Sequence, residues 1–401
     1  MQIAFFTNFY LPVVNGVVRS VESFREALTK QCHNVFVFAQ SNGDYKDEAP
    51  FIFRYPSLPL PIQGEISAVI PVSPFVEQLL PSLKLDVIHT HHPVLLGQTA
   101  ARRAAELSVP LVFTFHTQYT EYTHYFPLPQ EAIQEFLKSA VKNWLITFMQ
   151  KCQHIVIPSE SMKEILVQEY GLRDCYTVIP TGMDLEPYRL ADGKALRSRQ
   201  GWQDDIVLVS TGRLAIEKNW PTLLQAAQKV YLEHPALRLV LIGDGPEKSA
   251  LQALAAELGI AERVTFTGEI PFSEVPVHLK AADIFGFASV TETQGLVTME
   301  AIAAGLPVVA VDGSGTRDIV ENGRQGFLVP NDPDALAESI NRLLESPAKM
   351  KNFQRSALKR AKAFDMKRCA KQLVKVYEQA IREKAEQRYV RIEVEEESKE
   401  R

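Results

Sequence analysis

With 401 residues, 46% of them hydrophobic and 23% charged, the chain is too long for one core and suits two globular domains. Its net charge of -5 excludes the overall basic field that draws a protein onto nucleic acid, so no nucleic-acid partner is expected. Cys32, Cys152, Cys175 and Cys369 are scattered and form no C-x-x-C pair, which argues against a zinc framework or a disulfide scaffold and suits a cytoplasmic setting.

Met1 leads directly into IAFFTNF (3–9) with no basic segment before it, so this stretch reads as a first strand rather than a secretory leader. The loop NFYLPVVNGVVRSVESF (8–24) then joins that strand to a helix. Asn15-Gly16 supplies a turn whose backbone can approach a ligand, although the same loop also suits a plain connection. Further short apolar runs follow: NVFVFAQ (34–40), DVIHTH (86–91), PLVFTFH (110–116), HIVIPS (154–159) and YTVIP (176–180). Amphipathic stretches separate most of them. Strands that are apolar on both faces and alternate with helices indicate a parallel sheet covered on both sides, a doubly wound α/β domain. His116 stands at the carboxyl end of one such strand, followed by Tyr119, Tyr122, His124 and Tyr125, and a strand-end histidine is a better functional candidate than a core one.

Residues 132–151 carry Ile133, Phe136, Val141, Trp144, Leu145 and Phe148 along one side, with Lys138, Lys142 and Lys151 nearby. Such a stripe either faces its own core or rests on anionic lipid. After Asp184 the chain turns polar through EPYRLADGKALRSRQGWQDD (186–205), which reads as a linker. The strand pattern restarts with IVLVSTGR (206–213), LRLVLIGDG (237–245), VTFTG (264–268), IFGFAS (284–289), PVVAVDG (307–313) and GFLV (326–329), a second α/β domain. The expected boundaries are 1–186, 187–365, a helix over 366–385 packing toward the first domain, and a charged, solvated tail over 386–401. No run reaches 18 apolar residues, so any membrane contact is at the surface.

In TETQGLVTMEAIAAG (291–305) a helix is expected to start near Gly295, because Leu296, Met299, Ile302 and Ala303 follow a helical period. Its leading amides lack intrahelical partners and suit phosphate oxygens. Glu292 and Glu300 repel phosphate but suit vicinal hydroxyls, Glu292 those of a hexose and Glu300 those of a ribose. The alternative is that Glu292 favours the helix dipole and Glu300 is a solvated face residue. GRLAIEKN (212–219) adds Arg213 and Lys218, two cations suited to a diphosphate, on the same expected rim. Open α/β sheets bind ligands beyond the carboxyl ends of their strands, so the site is expected there, between the domains.

Other patterns lose support. HTHH (89–92) has ligand-type residues without H-E-x-x-H spacing, and Asp332-Pro333-Asp334 reads as a helix cap with proline at the first helical position, so no metal is expected. Gly243-Asp244-Gly245-Pro246 lacks the third glycine of a dinucleotide fingerprint, and no Walker lysine motif occurs.

Together, NGVV near the start, the FHT strand end, IPTGMD (179–184), GRLAIEKN, LIGDGP and Glu292 with seven residues before Glu300 resemble retaining glycosyltransferases of the GT-B fold, family 4 type, over nearly the whole chain. That resemblance implies two Rossmann-like domains facing across a cleft, a nucleotide-sugar donor and no required metal or other cofactor. It implies that Arg213 and Lys218 hold the diphosphate, that Glu300 holds the ribose, and that Glu292 with the amides of Thr293, Gln294, Gly295 and Leu296 holds sugar and phosphate. His116 would line the sugar pocket, Gly16 would approach the phosphate and Ile270 would lie near the base. NFYLPVVNGVVRSV and FHTQYTEYTHYFP look most like bacterial diacylglycerol glucosyltransferases, which implies UDP-glucose as donor, a lipid acceptor and a place on the cytoplasmic face of the membrane. Residues 1–186 carry 13 Lys and Arg against 18 Asp and Glu, so lipid contact would need local patches such as 138–163. A soluble sugar, an inositol phosphate or a polysaccharide intermediate is the alternative acceptor, and a non-catalytic sugar-nucleotide sensor is the alternative from another class.

Overall fold

The computed structural model describes residues 1–13, 15–43, 45–59, 67–118, 131–290, 292 and 294–393. The chain divides into two units, Met1–Gly182 with Met366–Arg401, and Met183–Asp365.

In the first unit the strands are β1 (Gln2–Thr7), β2 (Asn34–Gln40), β3 (Ile52–Tyr55), β4 (Ser57–Pro59), β5 (Ser67–Val69), β6 (Val87–Thr90), β7 (Leu111–Thr114), β8 (His154–Ile157) and β9 (Tyr176–Val178). Seven form a parallel sheet in the order β3-β2-β1-β6-β7-β8-β9, while β4 and β5 make a small antiparallel ribbon. Alternate side chains leave opposite faces of a strand. Ile3 and Phe5 of β1 therefore face the helices Gly16–Lys30 and Met366–Ala385, meeting Val21, Phe24, Leu373 and Tyr377. Ala4 and Phe6 face the other side, where Leu96, Leu145, Phe148 and Met162 close the core.

The second unit carries β10 (Ile206–Thr211), β11 (Leu237–Ile242), β12 (Val264–Gly268), β13 (Ile284–Phe287), β14 (Val308–Val311) and β15 (Gly326–Val329), ordered β12-β11-β10-β13-β14-β15 and parallel throughout. In both sheets the winding reverses beside the first strand, between β1 and β6 and between β10 and β13. The loops leaving those strands diverge there and open a crevice at the carboxyl rim.

Two stretches depart from their compositional reading. Residues 186–205 are no bare linker, because the helices Glu186–Leu190 and Lys194–Gln200 and the turn after them bury Tyr188, Leu196 and Trp202 in the second unit's interior. Three well-spaced apolar side chains suffice although eleven polar neighbours mask them in the composition. The charged tail is likewise docked as far as residue 393: Val390 is buried among core residues of the first unit, its amide donates to Cys152 O at 2.9 Å, and Leu172 bridges Ile392. Val390→Asp is therefore expected to cost the first unit about 3 kcal/mol in urea unfolding, whereas a solvated tail would tolerate it within about 0.5 kcal/mol.

Candidate functional site

In the second unit the rim is built backbone on backbone. Gly212 follows β10 and donates to Ile242 O at 3.0 Å, and Gly243 follows β11 with φ +136. A Cβ on Gly243 would stand 2.1 Å from Gly212 O, so LIGDGP is the bed on which the GRLAIEKN loop lies. That loop turns through Ile216–Lys218 and reaches Asn219, whose Nδ2 donates to Ala288 O at 3.2 Å, while Ser289 Oγ donates to Glu217 O at 3.2 Å. The loops after β10 and β13, the two flanks of the winding reversal, are thereby tied together.

Across that crevice Lys218 Nζ pairs with Glu292 Oε1 at 2.5 Å, the two side chains only 23% and 13% exposed. Arg213 stands exposed on the same loop and makes no ion pair among the described residues. Gly295 caps the helix Leu296–Ala304 in a left-handed conformation, and its carbonyl accepts from Thr298 and Met299 at 3.0 and 3.1 Å. The amides of Leu296 and Val297 thus precede the first intrahelical bond. Gln294 is buried and donates to Met299 Sδ, and Ile270 and Leu296 are half-buried against the cluster that holds Phe287. Thr293 lies outside the described residues. Glu300 is 2% exposed on a helix buried all round, which removes the solvated-face alternative for it.

The support beneath Glu292 comes from a loop more than twenty residues further along the chain. Ser314 Oγ donates to Glu292 O at 3.0 Å, and Gly315, with φ +76, would place a Cβ 2.7 Å from Glu292 O and 2.8 Å from Gln294 N. Gly315→Ala is expected to cost about 2 kcal/mol and, by displacing Glu292, to lower turnover roughly tenfold to a hundredfold. Gly323→Ala is the control: φ is +78 but nothing lies within 4 Å, so stability falls by about 1 kcal/mol and turnover holds.

In the first unit Asn15 Oδ1 accepts from Val18 N at 2.9 Å, making Gly16 the exposed first residue of its helix at the carboxyl end of β1. Asn8 ties the diverging loops together: its amide donates to His92 Nδ1 at 3.1 Å, its Nδ2 to Val94 O at 3.2 Å, and its Oδ1 accepts from Leu96 N at 3.1 Å. His116 is half-buried, and its Nε2 lies 3.0 Å from Nδ1 of His91, the rings 25° from parallel. The HTHH stretch, considered only as metal ligands, thus supplies the partner of His116, because β6 and β7 are neighbours and each carries a histidine just past its end.

Burial pulls His89 and His92 down to a pKa of about 3 and His91 and His116 well below the ordinary imidazole value, so all four are neutral near pH 7. His89 is fixed by Tyr377 Oη and Thr114 Oγ1, each at 2.7 Å. His91 Nε2 is buried with no partner among the described residues. A buried N–H without a partner is the costlier orphan. The bonding pattern therefore puts the His91 proton on Nδ1, donated to His116 Nε2, and leaves His116 a neutral donor at Nδ1.

Among the described residues no group of three or more His, Cys, Asp or Glu is placed to hold a metal, and Asp332 caps the helix Pro333–Leu344 by accepting from Ala335 N at 3.0 Å. Nor is any described helix long and apolar enough to cross a membrane. The stripe on Glu131–Met149 belongs mostly to the core: Leu145 and Phe148 are buried, Val141 and Trp144 pack half-buried beside them, and Phe136 is 72% exposed. The side chain of Ile133, with Tyr119, Tyr122, His124 and Tyr125, lies outside the described residues.

Comparison with known proteins gives these observations a context. Residues 14–187 match the model described as Glycosyltransferase Family 4, and residues 193–360 the model described as Glycosyl transferases group 1. An alpha-monoglucosyldiacylglycerol synthase of Streptococcus pneumoniae is 33% identical over 86% of this chain and 79% of its own length. A protein of the same name from Acholeplasma laidlawii is 29% identical over 89% of this chain and 92% of its own length. The crystal structure of Anabaena HepE in complex with UDP-glucose superposes with a TM-score of 0.74 over 93% of this chain and 98% of that one, at 21% identity, and so shares its fold.

Proposed function

This chain belongs to the family 4, group 1 glycosyltransferases of GT-B fold, and on that premise we propose that it moves glucose from UDP-glucose to a lipid acceptor such as diacylglycerol, with retention of configuration. The enzyme class is that of its family. The acceptor reading is supported by the two diacylglycerol glucosyltransferase relatives, which span nearly all of this chain and whose own length it largely covers. The HepE complex supports a UDP-sugar donor through fold alone.

One observation carries the assignment of roles: a lysine and a glutamate face each other across the winding reversal, beside a glycine-led helix start. Donor binding exchanges this ion pair for two new contacts. Lys218 turns to the diphosphate, joined by Arg213 and the amides from Thr293 to Leu296, and Glu292 accepts from hexose hydroxyls. Glu300 holds the ribose and Ile270 lies near the base. In the first unit His116, a neutral donor, serves a sugar hydroxyl, and Gly16 approaches a phosphate. The acceptor oxygen bonds to the anomeric carbon on the face that the diphosphate leaves. Its proton passes to the departing phosphate oxygen, and the cations and helix start stabilise the charge that develops there. No metal enters these steps.

Release of UDP from UDP-glucose with diacylglycerol liposomes, against soluble sugars and inositol phosphate, tests the reading. Glycolipid with the donor's anomeric configuration is the expected product. Turnover on a soluble acceptor alone would refute the lipid, and tight donor binding with neither transfer nor slow hydrolysis would mark a sensor.

A further inference from the structure

At the opposite edge of the first sheet lies a second concavity. A pocket of about 580 Å³ opens where Leu111 begins β7 and Gln153 precedes β8, at the amino ends of the strands, whereas Gly16, His91 and His116 stand past carboxyl ends. The helix Leu96–Glu106, the turn Gln150–Lys151 that follows Glu131–Met149, and the returning Met366–Ala385 helix form its walls.

The chemistry of that lining is one-sided. Arg102, Lys151 and Lys384 line it, and no carboxylate does among the described residues. Lys151 Nζ donates to the neutral Gln98 amide at 3.1 Å, Lys384 Nζ stands 5.8 Å from the Tyr389 ring centre, and Arg102 keeps only a 4.0 Å contact with Glu106. Three cations gathered with one acid contact among them, at 4.0 Å, repel one another unless an anion joins them. A second observation points the same way. Gln153 is 1% exposed and its Oε1 accepts from Leu111 N at 2.8 Å, but its Nε2 is buried with no partner among the described residues. An orphaned amide donor in the wall of a basic pocket is a donor for an occupant.

We propose that this pocket is a binding site for a phosphate-bearing ligand, separate from the transfer site. Arg102, Lys151 and Lys384 take the phosphate oxygens, Gln153 Nε2 adds a neutral donor, and the half-exposed Tyr389 ring offers a flat surface to whatever the phosphate carries. Because Lys384 and Tyr389 belong to the C-terminal segment, occupancy fastens that segment to the rest of the first unit.

Hydrogen exchange over residues 384–393 of the full chain reads this directly. Pyrophosphate at ten times its dissociation constant is expected to slow exchange there roughly tenfold. The slowing should persist in Lys218→Ala, which separates it from the donor site, and vanish in a Lys151→Gln/Lys384→Gln double variant whose circular dichroism is unchanged. Arg102→Gln, on an exposed helix face, should weaken it and stands in should the double variant fail to fold. Phosphatidic acid vesicles, with phosphatidylcholine vesicles as blank, distinguish the source: slowing by these alone assigns the phosphate to a lipid headgroup. No slowing by pyrophosphate or phosphatidic acid, which would leave water as the partner of Gln153, overturns the proposal, as does equal slowing in the variants.

Discussion

Glu292→Gln is expected to leave the fold intact and to lower kcat by roughly a hundredfold to a thousandfold, the scale on which a single preorganised contact to a reacting centre acts. The substitution is isosteric, and the ion pair it removes is partly solvated, so its loss costs stability no more than about 1 kcal/mol. What changes is the reacting end. An ionised carboxylate accepts from two sugar hydroxyls, whereas an amide accepts through one oxygen and presents donors beside it. KM for the donor should move little, because Lys218, Arg213 and the helix start still hold the diphosphate. Lys218→Ala should do the reverse in part, raising donor KM as well as lowering kcat. Steady-state kinetics on both variants check this, and full activity of Glu292→Gln would remove the sugar contact assigned to it.

Acid is expected to unfold the first unit while the second persists. Imidazoles of the unfolded chain titrate near 6.5, but burial holds His89 and His92 at about 3 and His91 and His116 well below the ordinary value. A depressed folded value means that below pH 6.5 the unfolded chain binds protons that the folded chain refuses, so stability is present above 6.5 and is lost as pH falls. Each such histidine removes about 1.4 kcal/mol per pH unit, so His89 and His92 alone remove about 5 kcal/mol by pH 4.5. His91 and His116 add to this, and so does His154, where burial outweighs the neighbouring Glu383. The sum reaches the whole stability of an ordinary domain. The second unit holds only His234 and His278, neither buried. Hydrogen exchange during a titration from pH 7 to 4 should show first-unit amides losing protection between about pH 5 and 4, with Val207–Ile242 still protected. First-unit protection intact at pH 4 would contradict the neutral assignment.

The alternating apolar runs made both sheets legible, because strands buried on two faces are written almost wholly in Val, Ile, Leu and Phe. The glycine-led helix start could be placed from its period alone. The ion pair could not, because Lys218 and Glu292 are 74 positions apart in sequence and meet only where the winding reverses between β10 and β13. His91 was hidden for a similar reason: its relation to His116 exists only once β6 and β7 lie side by side. Residues 186–205 and the tail misled because composition averages over a window, while Tyr188, Trp202 and Val390 each dock as single anchors. The stripe on Glu131–Met149 shows the converse, since an amphipathic pattern states that one side is covered without naming what covers it.

The last helix has a further bearing on how the molecule is made. Met366–Ala385 completes a layer over Val87, Val112 and Val156, yet it is synthesised after the entire Met183–Asp365 unit. On the ribosome the earlier unit must therefore wait with one flank of its sheet bare, while the later one has everything it needs within a continuous stretch. A fragment ending at residue 182 is expected to be a poor solubility risk for expression, and any chimera exchanging halves has two junctions to respect, at 182–183 and at 365–366.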